Sequence, residues 1–118
     1  MCLISRRKLP RIALTNIAVY KILCEDNSAL YQQHYRYKPG VNFPEGGSDV
    51  QPCGGYTAIK GGYLHAFQRE RFANTQAASL NRINYINQKV KVVKMIIPFG
   101  TRYYRGNHDD ICAKKLVW

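Results

Sequence analysis

Only one stretch of this chain carries apolar residues at helical spacing. In residues 68–80 (QRERFANTQAASL), Phe72, Ala73, Ala77 and Leu80 form a single stripe, and Arg69, Arg71 and Arg82 decorate the remainder. Elsewhere, short runs of β-branched and aromatic residues alternate with clusters of Gly, Pro, Asn and Asp that read as turns. The pattern predicts an α+β fold, mainly an antiparallel β sheet of about six to seven strands with one short helix. Residues 1–118 are expected to form a single domain.

The runs differ in how they are buried. Residues 16–24 (NIAVYKILC) read as a well-buried strand whose one internal charge is Lys21. Residues 30–37 (LYQQHYRY) alternate strictly, with Tyr31, Gln33, Tyr35 and Tyr37 on one face. Residues 56–59 and 63–67 are short strands around a turn at Lys60-Gly61-Gly62. Residues 89–97 (KVKVVKMII) are the clearest strand, ended by Pro98 and turned at Phe99-Gly100. The chain returns through residues 101–105 (TRYYR), turns at 106–110 (GNHDD) and closes with a strand over 111–118 (ICAKKLVW). Residues 38–55 hold three prolines and five glycines and are expected to be a long loop without regular structure, of the kind that forms lids or binding loops. Residues 1–11 carry Arg6, Arg7, Lys8 and Arg11 without an acid, and read as a basic arm, either solvated or in contact with phosphate.

Charge bounds the partner. Eighteen Lys and Arg stand against seven Asp and Glu, a formal net charge of +11. A domain this small cannot bury many unpaired cations, so most of them lie on the surface and attract anions. The partner is therefore expected to be an anionic nucleotide or nucleic acid, with no membrane. A sizeable ligand site would sit in a surface groove or between copies of the chain, and a homo-oligomer is expected. No run reaches the length of a membrane helix. Cys2, Cys24, Cys53 and Cys112 make no CxxC pair, so neither a metal nor a cofactor is expected, and the thiols read as reduced in a cytoplasmic protein.

Two constellations point to phosphate. Lys94, with Lys89 and Lys91, stands on one strand of the last long hairpin, and Arg102 and Arg105 flank Tyr103 and Tyr104 on the other. Guanidinium groups bind phosphate bidentately and tyrosine rings stack on bases. Arg36 and Tyr37 precede the long loop and form the second group, while Tyr63 and His65 share the next hairpin. The expected ligand-binding set is thus Arg36, Tyr37, Tyr63, His65, Lys94, Arg102, Tyr104 and Arg105, with no catalytic residue among them. His108 beside Asp109 and Asp110 has the composition of a base and its orienter, but a polar turn accounts for the same residues without chemistry.

Three pieces fall in a recognisable order: VYKIL at 19–23, GGYLHAF at 61–67 and VVKMIIPFGTRYYRG at 92–106, followed by ICAKKLVW. They resemble a group of small uncharacterised phage and bacterial proteins that share a VYK strand, a G-aromatic-x-H-x-F segment and an IPxGTxYYxG hairpin. The order is also similar to the ADP-ribosyltransferase fold, in which a "vPxGt" strand leads to the last strand near the catalytic glutamate. This chain departs there, since no glutamate follows Glu70 and the last strand is preceded only by Asp109 and Asp110. The resemblance implies an ADP-ribose-shaped groove and, by analogy with small basic phage proteins, sequestration of a nucleotide immune signal such as a cyclic nucleotide or ADP-ribose derivative, as anti-defence in a host cytoplasm. The expected function is non-catalytic binding of an anionic nucleotide-type ligand. The alternatives are nucleic-acid binding, an ADP-ribosyltransferase-like enzyme, or an inhibitor that docks on an acidic host protein.

Overall fold

A computed structural model describes residues 3–30, 35–84 and 88–118. Among them are strands β1 (Leu3–Ser5), β2 (Arg11–Ile12), β3 (Ile17–Cys24), β4 (Val41–Asn42), β5 (Asp49–Cys53), β6 (Tyr56–Gly61) and β7 (Leu64–Phe67). Helix α1 (Glu70–Ile83) follows, then β8 (Val90–Ile97), β9 (Arg102–Arg105), β10 (Asp110–Ala113) and β11 (Leu116–Val117). The fold is α+β and dominated by an antiparallel sheet of eight strands in the order β2-β9-β10-β7-β3-β8-β11-β4. A second sheet, β1-β6-β5, has three strands.

Alternation along the strands sets which face is buried. Val19 and Leu23 of β3, Met95 and Ile97 of β8, and Leu116 of β11 pack with Leu64 and Ala66 of β7, Tyr103 of β9 and Ile111 and Ala113 of β10. Both halves of the large sheet therefore contribute to one core. Its other face carries two smaller clusters. Leu3, Ile59 and Tyr63 pack on Tyr104 and Cys112, which fixes the small sheet, and Ala73, Ala77 and Leu80 of α1 pack on Ile22 and Val90. Burying Leu80, Ile22 and Val90 stabilises by about 1.5–3 kcal/mol each, and the alanines let the helix approach closely, so it is held by its stripe rather than by its own propensity.

The ladder is uneven. β3 and β8 pair over eight positions, from Ile17↔Ile97 to Cys24↔Val90. β3 and β7 register at a single pair, Tyr20↔Phe67. Next to that pair, where Lys21 and Ala66 would otherwise face each other, the Lys21 ammonium instead donates to the His65 carbonyl at 2.5 Å.

Several expectations change. Residues 38–55 are not devoid of regular structure: β4 and β5 lie within them, and β5 pairs with β6 despite Pro52. Proline is tolerated there because β5 is an edge strand. The basic segment is no frayed arm over its described part. Leu3 is fully buried, β1 pairs with β6 and β2 with β9, so strand pairing at either end holds the segment between them. The closing strand is two, β10 and β11, because the chain leaves one neighbour, β7, at Ala113 and takes another, β8, at Val117. Lys60 and Gly61 belong to β6 rather than to the turn. Part of the expected strand at 30–37 lies outside the described residues, and within the remainder Arg36 makes only an isolated bridge with Ser28.

Candidate functional site

A cleft of about 420 Å³ opens where β3 and β7 part. Lys21, Ile22 and residues 64–67 line it from the two strands, Phe72 and Gln76 from α1, and Tyr35, Tyr37, Pro44 and Glu45 from the crossing between β3 and β5. Lys60 and Tyr63 close one side, and His108, Asp109 and Asp110 another. Its volume falls within the range of small-molecule pockets, and aromatic side chains form part of its wall.

Lys21 is its most unusual member. The side chain is half-buried and, among the described residues, pairs with no carboxylate. Its Nζ lies 5.2 Å from the centre of the Tyr37 ring, a cation–π contact that partly replaces lost water. Desolvation pushes the ammonium down to about 8. His65 follows the same logic: burial, reinforced by the Lys21 charge, pushes the imidazole down to about 4. The ring is thus neutral at pH 7, and its Nδ1 is buried without a hydrogen-bond partner. Burial likewise raises the Tyr37 phenol well above its ordinary range, with Tyr35 contributing.

The His65 shift has a measurable consequence. The unfolded imidazole takes up a proton as pH falls through about 6.5, whereas the native one resists until about 4. Stability should therefore fall across that window by roughly 2–3 kcal/mol and then level off. Urea midpoints at pH 7.5 and 4.5 should diverge more for the native chain than for His65→Asn. Parallel midpoints would show that the ring is charged or solvated in the native state.

Among the described residues, no hydrogen bond or ion pair joins His108 to Asp109 or Asp110 in the turn at 106–110. Asp109 accepts from the Arg69 backbone N–H at 3.0 Å and pairs with its guanidinium at 3.4 Å, capping α1 from outside the helix. Asp110 lines the cleft, and its Oδ1 is buried without a partner. Three buried side-chain polar atoms lack a partner among the described residues, and two of them, on His65 and Asp110, belong to the cleft. Unsatisfied groups gathered beside a cavity are what a polar ligand or water would complete.

Comparison with family models, with curated proteins and with solved structures finds no match to this chain.

The expected ligand-binding residues divide. Tyr37, Tyr63 and His65 line the cleft. Arg36 does not. It pairs with Asp26 at 3.5 Å and, with Lys38, borders a shallower depression of about 310 Å³ that shares Tyr35 and Glu45 with the cleft. Lys94 and Arg102 are exposed on β8 and β9, away from it. Arg105 is exposed, stacks on Tyr103 at 5.6 Å and donates to the Gln68 side chain. Tyr104 is buried against Tyr63, and its hydroxyl donates to the Lys8 carbonyl at 3.0 Å. The cations of the last long hairpin therefore do not gather with the rings in one pocket. The cleft's own cations are Lys21 and Lys60, which the motif reading did not select. A lone charge within an otherwise buried strand was the signal for Lys21. Lys60, Phe72 and Gln76 gave none, since only the tertiary fold brings their elements together.

Proposed function

We propose that this domain binds a small anionic ligand of nucleotide type in the cleft and does not turn it over. The observation that carries this reading is the Lys21 ammonium, which pairs with no carboxylate among the described residues and is set into an aromatic-walled cavity beside the unpartnered His65 Nδ1. Of the carboxylates lining the cavity, Asp109 is held by Arg69, and Glu45 and Asp110 limit where an anion can sit. A buried cation without a counter-ion is costly unless its anion arrives from outside. Lys60 supplies a second positive charge, and Tyr63, Phe67 and Phe72 supply apolar surface for a ring. Lys38, with Arg36 that also pairs with Asp26, borders the neighbouring depression, where a second phosphate of the ligand would sit.

Sequestration of a nucleotide signal in a reducing cytoplasm is the setting in which such binding is useful. Calorimetry with ADP-ribose and with cyclic nucleotides should give dissociation constants in the micromolar range or tighter, and the corresponding dephosphorylated nucleosides should bind about tenfold more weakly or worse. The ligand should be recovered unchanged after incubation. Absence of heat with every nucleotide would end the reading, and recovery of an altered ligand would replace it with an enzyme.

A second reading rests on another part of the molecule. The β2–β9 edge carries exposed Arg11, Arg102 and Arg105, and the Tyr104–Lys8 hydrogen bond holds the 6–8 segment nearby. Such a basic edge suits a nucleic-acid backbone, whose binding would weaken steeply with salt.

A further inference from the structure

We propose that Lys21 captures carbonyl compounds, its Nζ forming an imine with an aldehyde that carries an anionic group. The inference goes beyond reversible ligand binding and rests on where the amine stands. Lys21 reaches the cleft from a strand junction, β3–β7, that is joined by one residue pair. Among the described residues its Nζ has one hydrogen-bond partner, the His65 carbonyl, and no carboxylate holds it as an ion. A lysine in apolar surroundings without a counter-ion keeps a larger neutral fraction than an exposed one, and the neutral amine is the nucleophile. Tyr35, Tyr37 and Phe67 provide walls for the body of an aldehyde, and Lys60 provides charge for its anionic substituent.

The step balances without a further reactant. The Nζ lone pair attacks the carbonyl carbon, and one N–H proton passes to the carbonyl oxygen to give a carbinolamine. The second N–H proton leaves with that hydroxyl as water, and the C=N bond forms. Water is the reagent that would reverse it, which is why cyanoborohydride is needed to fix the imine. Neutral His65 lies next to the reacting centre, since its carbonyl holds the amine.

The test uses pyridoxal 5′-phosphate, an anionic aromatic aldehyde, at less than one equivalent on the folded full chain, with cyanoborohydride to fix the imine and peptide mass mapping to locate it. Lys21 is one of nine lysines. Its adduct should exceed that on exposed Lys94 by about tenfold or more, as expected of a desolvated lysine, and the preference should vanish in denaturing urea. Lys21→Arg should lose the main adduct while the minor ones persist. Labelling confined to exposed lysines, or unchanged in Lys21→Arg, overturns the proposal. If nucleotides bind by calorimetry but Lys21 is not labelled, imine formation fails and the binding reading stands. If Lys21 is labelled and no nucleotide binds, the reverse holds.

Discussion

Lys21→Met should make the protein more stable and less able to bind. Methionine keeps the length and apolar stem of lysine and removes the charge that burial disfavours. Below pH 8 the ammonium is protonated in both the native and the unfolded chain, and the native state bears the full desolvation penalty. Stability at pH 7 should rise by about 1–3 kcal/mol in the variant. The advantage should shrink as pH rises from about 8, where the native amine loses its proton, toward about 10.4, the unfolded value. Affinity for a phosphorylated nucleotide should fall about tenfold or more in the same variant. Urea unfolding at pH 7 and pH 10, with calorimetry, measures both. A less stable variant that still binds would show that Lys21 is a structural strut.

Gly62→Ala should be strongly destabilising. Gly62 has φ +76°, and a Cβ there would stand 2.5 Å from the Gly47 carbonyl oxygen and 2.5 Å from the Ser48 Cα. Both obstacles are backbone, so no side chain can swing aside. Lys114 binds the same crossing, donating to the Gly62 carbonyl at 2.7 Å and to the Ser48 hydroxyl, with its ammonium 4.4 Å from the Tyr63 ring centre. The substitution should cost about 3 kcal/mol or more, lowering the melting temperature by roughly 10 °C. Gly100→Ala is the matched control, because its φ is +84° but nothing lies within 4 Å of the added carbon. It should cost only about 1 kcal/mol. Equal melting temperatures for the two variants would mean that the 47–48 segment yields freely.

These two residues mark what the sequence could and could not reveal. Strands β3, β8 and β9 and helix α1 were legible, because alternation and helical spacing are local properties and Pro98, Gly100 and the 106–110 turn punctuate them. β4 and β5 were not, since their pairing comes from β11 and β6 and overrides an unfavourable Gly- and Pro-rich composition. The site was half legible. Tyr37, Tyr63 and His65 fall in the cleft, but local charge density drew attention to Lys94, Arg102 and Arg105, which the register leaves on exposed positions of β8 and β9. Counting cations finds the surface, whereas a binding pocket needs the few that are desolvated, and desolvation depends on neighbours distant in sequence.

The lone Tyr20↔Phe67 contact gives the large sheet a seam. Along β3–β8 a ladder of amides resists separation, whereas across this line the halves are joined chiefly by side chains and by one ammonium–carbonyl link. A guest molecule lodged there would work as a stitch, and any motion by which the protein admits it should be concentrated along this line while the β3–β8 pair stays closed.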